Sequence, residues 1–249
     1  MINCIIGLLA GALAWGASLF VFDSPAAGFI PFLVVSILVF VLLNRRMAKR
    51  VNLIVARAGE ILQGIQKLPS EAARVHMINK AVDILKEAYA YKRYQFALEA
   101  NLNSQIGMIY YVQSRFKEAE PYLAHAFPQQ GTAVAMYACL LYRREDIDGM
   151  RKAFDKALKY SKKEPLLYHV YAWCLLQKKM RDEAIRVLNE CLTQNPNDST
   201  TKENLDLLKN SGKIKMKSFN EQWYQFLLEK PANQQLLAQF AQRPGFRNR

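Results

Sequence analysis

Two consecutive stretches decide the reading of this chain: Gly131–Glu164, GTAVAMYACLLYRREDIDGMRKAFDKALKYSKKE, and Pro165–Asp198, PLLYHVYAWCLLQKKMRDEAIRVLNECLTQNPND. Each has 34 residues, and superposing them puts Tyr137 on Tyr171, Ala138 on Ala172, Leu141 on Leu175 and Phe154 on Leu188. Within each, apolar residues return at three- and four-residue intervals, the spacing of one helix face. Self-similarity at a fixed period of about 20–50 residues marks a stacked-repeat architecture. Working backwards, Ala100–Gln130 is a 31-residue copy, three short at its end, carrying Gly107, Tyr110, Ala119, Leu123 and Ala126. An earlier partial copy is suggested by Ala81, Leu85 and Ala88.

Each copy carries one small residue in its first half: Gly107, Ala138 and Ala172. A small–large–small series follows in the second half, as Ala119, Leu123, Ala126 and as Ala184, Leu188, Cys191, with Met150, Phe154, Ala157 departing at its first place. Small residues let two helices approach; the large residue one turn later fills the space between units. Each unit then buries its apolar face only against its neighbours. The pattern resembles the tetratricopeptide repeat, a helix–turn–helix unit, and Met180-Arg181-Asp182-Glu183-Ala184 and Phe116-Lys117-Glu118-Ala119 are similar to its inter-helix turn. Pro196 stands where that family closes a repeat; the first two copies lack this proline, and the family's tryptophan is replaced by Asn103, Val134 and Tyr168. The resemblance implies a solenoid of about three repeats, 100–130, 131–164 and 165–198, followed by a capping helix over 199–211 that Gly212 ends.

The N-terminal end is of another kind. Ile2–Phe22 and Ala26–Leu43 contain no charged residue, and Asp23-Ser24-Pro25 lies between them. Each run is long enough, or nearly so, for a hydrocarbon layer of about 30 Å. Residues 1–43 are therefore expected to form a transmembrane helical hairpin with spans at about 2–22 and 26–43. Arg45, Arg46, Lys49 and Arg50 follow at once, and basic residues flanking a span mark the cytoplasmic side. The expected protein is an integral membrane protein, of a bacterial inner membrane, with its soluble part in the cytoplasm. Residues 44–99 read as a basic helix leaving the membrane, broken at Leu68-Pro69-Ser70, and further leading helices. No sustained period-two alternation occurs, so the expected fold class is all-α.

The formal charge is +13, but residues 100–198 carry only +3; residues 44–57 carry +5 and 209–249 carry +6. A nucleic-acid groove needs a basic stripe along the repeats, so no nucleic acid is expected there. The basic exit residues Arg45, Arg46, Lys49 and Arg50, and the tail's Lys213, Lys215, Lys217, Arg243, Arg247 and Arg249, suit anionic lipid. Residues 212–249 are read as a basic helical tail in which Ser218-Phe219-Asn220-Glu221 forms a capping box and Leu236, Leu237 and Phe240 a second short helix.

Nothing in the chain has the form of a phosphate loop, a nucleophile elbow or a zinc-protease helix. Cys4, Cys139, Cys174 and Cys191 are too scattered for a metal ribbon, and no enzyme activity, metal or cofactor is expected. The tetratricopeptide resemblance implies protein binding along the first helices of the repeats. The residues there are Asn101, Gln105, Met108 and Tyr111, then Ala135, Cys139 and Tyr142 with Arg143 at the edge, then His169, Trp173 and Leu176. They lack the basic pair of a carboxylate clamp and form an aromatic strip suited to an apolar helix or extended segment, which the chain's own Trp223 and Phe226 could equally fill. The function read from the sequence is a membrane-anchored adaptor or scaffold that recruits a protein partner. A subunit of a larger membrane complex remains open, since Gly7, Gly11, Ala10, Ala14 and Ala17 could pack on other membrane helices.

Overall fold

The computed structural model describes residues 2–22, 28–65, 68, 70–210, 216 and 221–229. All regular structure among them is helical: α1 (Ile2–Phe22), α2 (Phe29–Gly64), α3 (Glu71–Glu87), α4 (Leu98–Val112), α5 (Phe116–Leu123), α6 (Gly131–Arg143), α7 (Ile147–Tyr160), α8 (Pro165–Gln177), α9 (Arg181–Gln194) and α10 (Ser199–Asn210). Short 3-10 helices cover Ala88–Tyr91 and Glu221–Phe226. The turn expected at Asp23-Ser24-Pro25, Pro69, the end signal Gly212, Ser218 to Asn220 of the capping box, the second tail helix and the tail's basic residues lie outside the described residues. The chain divides into two compact units, Met1–Leu102 and Asn103–Arg249.

In the first unit, α1 and α2 are both long and apolar enough to cross a membrane. They pack closely through glycine. A Cβ added at Gly7 would lie 2.8 Å from the Ser36 carbonyl oxygen, and one at Gly11 2.6 Å from that of Phe32. Two glycines in the first apolar run are thus occupied by the second apolar helix of the same chain. The basic helix expected to leave the membrane is continuous with the second apolar run: α2 runs without a break for 36 residues, through Arg45, Arg46, Lys49 and Arg50, to Gly64. Its far half carries Val51 and Ile54 into a core with Ala88, Leu98 and Leu102, flanked by Val55, Ile84, Tyr89 and Tyr91.

In the second unit the helix bounds repeat. α6 and α8 begin 34 residues apart, as do α7 and α9. The helices α5, α6, α7, α8, α9 and α10 pack in sequence along the chain, and α6 also packs on α8. Each helix pair is joined in one way. The amide of Arg115 donates to Tyr110 O, that of Asp146 to Leu141 O and that of Met180 to Leu175 O, all at 3.0 Å. The residue before each donor, Ser114, Glu145 or Lys179, is left-handed, with φ of 60°, 63° and 63°. Five-residue closure around a left-handed residue is the Schellman ending, usually built on glycine; here three ordinary residues accept it. The small residues pack as their size requires: Ala119, Ala138, Ala172 and Ala184 are fully buried, and a Cβ added at Gly107 would come within 2.7 Å of Leu123. Phe154 of α7 stacks on Tyr171 of α8 with centroids 4.6 Å apart. The second helix of the first copy is short, eight residues against 14 in α7 and α9. Pro121 inside it removes one backbone donor.

Candidate functional site

The C-terminal ends of α4, α6 and α8 converge on a strip of large side chains. Tyr111 and Tyr142 hold equivalent places near the ends of their helices, as the Schellman turns three residues on from each confirm. Trp173 meets Tyr142 edge-on at 5.9 Å between centroids, and Tyr111 meets Phe116 at 5.3 Å. The Arg143 guanidinium stands 4.6 Å above the Phe116 ring. Arg143 occupies the last turn of α6, where the helix dipole favours a cation.

Residues 221–229 lie in this strip. Trp223 is 1% exposed and Phe226 fully buried, and Trp223 meets Trp173 edge-on at 6.3 Å. Three polar groups of the strip hold the segment's backbone and the Glu229 carboxylate. The Tyr111 hydroxyl donates to Phe226 O at 2.6 Å, and Arg143 Nη2 donates to Leu227 O at 2.5 Å. The indoles of Trp173 and Trp223 donate to the two oxygens of Glu229, at 2.9 and 3.2 Å. Leu227 is left-handed at φ 53°, which turns the backbone out after its carbonyl is captured. The contacts engage two backbone carbonyls at the end of a 3-10 turn, two aromatic rings and a carboxylate.

Burial pushes the Tyr111 phenol well above its ordinary range; Cys139 nearby adds to this and Arg143 opposes it. The hydroxyl therefore stays a donor. Tyr142 is raised as well, first by burial. Beneath the strip the Cys174 thiol is pushed well up by burial and by its hydrogen bond with Cys139. A thiol held protonated is a poor nucleophile.

The other residues singled out in the sequence divide by place. Ala135, Cys139 and Leu176 are buried, and Gln105 and Met108 half-buried. Asn101 lies in the first unit, where its amide donates to Ala97 O at 3.0 Å and closes the first turn of α4. His169 faces α10 and is fully buried. Its Nε2 is 2.7 Å from Thr201 Oγ1, and Asn204 Nδ2 is 3.2 Å from its Nδ1. Thr201 in turn donates to Asp198. Arg45, Arg46, Lys49 and Arg50 are all exposed on α2.

Sequence reasoning missed two features. Arg143, placed at the edge, grips the bound segment directly. The network of Asp198, Thr201 and Asn204 was not singled out; Thr201 and Asn204 are spaced three apart on the face of α10 that also buries Leu205 and Leu208, and that spacing was the available signal. Donor atoms of His169, Cys191 and Asp198 all lie within 4.8 Å of one another, near enough to share a metal ion. Thr201 Oγ1 already bonds all three, at 3.4 Å from Cys191 Sγ, and burial pushes the Cys191 thiol up to about 11. The donor set fits a closed hydrogen-bond network better than an ion. No protein-family model matches this chain, and no curated protein matches it.

Proposed function

We propose that this chain is a membrane-anchored adaptor of tetratricopeptide type. α1 and the first part of α2 form a hairpin in the bilayer, the soluble part faces the cytoplasm, and the strip of Tyr111, Arg143 and Trp173 captures segments of partner proteins. The observation that carries the reading is the strip's occupant: a peptide of the chain's own sequence, held through aromatic rings, two backbone carbonyls and a carboxylate. Residues 221–229 then act as an internal ligand that a partner segment of similar chemistry displaces. The 34-residue recurrence of helix bounds and the three Schellman turns support the repeat assignment. The larger-complex reading has less support, because α2 occupies the faces of Gly7 and Gly11.

The test uses the full-length chain and a chain ending at Asn210, both in nanodiscs, and a fluorescent peptide covering residues 218–231. The shortened chain should bind the peptide, and the full chain should bind it more weakly. Changing Met108, Tyr142 and Trp173 together to Gln, Ser and Gln should abolish binding while helical content stays unchanged. Failure of the shortened, folded chain to bind the peptide would remove the recognition role.

A further inference from the structure

The segment Tyr89–Ala97 connects α3 to α4, and its place is fixed by α1. The backbone amide of Ile2 donates to Arg93 O at 3.2 Å. The Asn3 side chain donates to Tyr94 O at 3.2 Å and to Asn44 Oδ1 at 3.0 Å. Asn3 is buried, so these bonds satisfy an amide that would otherwise be costly to desolvate. The bonds set Arg93 and Tyr94 level with the ends of both apolar runs, since one run starts at Ile2 and the other stops at Leu43, directly before Asn44.

Phe96 follows two residues later and is 89% exposed, more than any other large hydrophobic side chain described. Ala97 beside it is left-handed, with φ 58°. That conformation costs a residue with a Cβ about 1 kcal/mol, and it separates Phe96, outside, from Leu98, which enters the core at 6% exposed. Two residues of chain reach at most about 7 Å. The interfacial layer between hydrocarbon and water is of similar depth, roughly 5–8 Å on each side. The Phe96 backbone therefore lies within reach of the headgroup layer of a bilayer that holds α1 and α2. The neighbouring residues have the composition of that layer: Tyr94 with Lys92 and Arg93, and Arg45 and Arg46 on the turn of α2 after Asn44.

We infer that Tyr89–Ala97 is a third membrane contact, lying in the interface of the leaflet at which α1 begins, with the Phe96 ring seated at the boundary of headgroups and acyl chains. The inference rests on the membrane-anchored reading of α1 and α2. The contact holds the soluble end of α2 against the bilayer surface at a second point, where the spans alone would hold it at one.

Spin labels and collision accessibility test this in the full chain, reconstituted in vesicles of phosphatidylcholine and phosphatidylglycerol. The background is Cys4→Ser, the remaining three cysteines being buried. Labels go singly at Phe96→Cys, at Leu38→Cys in the middle of the apolar part of α2, and at Gln63→Cys near its far end. Leu38 is 57% exposed, and Gln63 is exposed too. The expected result is that oxygen relaxes the label at 96 more than a water-soluble nickel chelate does, at a ratio between those at 38 and 63. A ratio at 96 equal to that at 63, with hydrocarbon behaviour at 38, overturns the interfacial contact and leaves the anchor standing. Aqueous behaviour at 38 overturns the anchor itself and the contact with it.

Discussion

Burial holds the His169 imidazole down to about 4 from its ordinary 6.5, with Asp198 pulling the other way. The hydrogen bonds agree with a neutral ring: Nδ1 accepts from Asn204, and Nε2–H donates to Thr201, whose own proton goes to Asp198. The unfolded chain takes up this proton first as pH falls. The stability that the neutral ring contributes is therefore complete above about 6.5 and declines toward 4. Denaturant melts of the full chain should lose stability between those values more steeply than melts of a His169→Gln variant, by a few kcal/mol over the window. Parallel curves would mean that the ring is not held neutral. At Ala119 and Ala184 the issue is size. Both are fully buried, and Leu at either should overpack the helix contact and cost about 1–3 kcal/mol; an unchanged melting temperature would count against the close approach.

At the scale of elements, the Schellman turns give the sharpest expectation. Lys179 is exposed and left-handed at φ 63°, so Lys179→Gly should remove backbone strain and raise stability by about 0.5–1 kcal/mol. Equal or lower stability by denaturation would show the turn to be differently closed. These turns also mark the limit of what the residues disclosed. The period of 34, the small residues and the apolar faces were legible because helix packing writes them directly into side-chain size and spacing. The helix ends were not, because Ser114, Glu145 and Lys179 stand where glycine usually announces a stop. The continuity of α2 was legible: helical spacing carries on past the change from Leu43 to Arg45 and Arg46, and both residue types are good helix formers. Of the strip, Tyr111 and Tyr142 were readable from their equivalent places in the copies, and Trp173 from its place on the first-helix face of the third. Arg143 was not, because its role depends on a segment 84 residues away reaching it.

For the whole molecule, the proposed topology is checked by a reporter that works only in the cytoplasm, fused after Arg249: activity is expected, and a signal from the opposite side would reverse the orientation. α2 has a further consequence. One stripe of it receives α1 at Phe32, Ser36 and Phe40, and the same helix then enters the core at Val51 and Ile54. No joint lies between, so the angular phase of the helix alone sets how the apolar helix pair and the core of the first unit are turned about their shared axis. Inserting a single alanine after Ala48 would turn everything beyond it by about 100° and advance it by about 1.5 Å. That rotation would pull Arg93 and Tyr94 away from Ile2 and Asn3 or carry Val51 and Ile54 out of the core. The chain is therefore geared like a keyed shaft: it should tolerate many substitutions between Arg45 and Arg50, yet lose its fold to one added residue there.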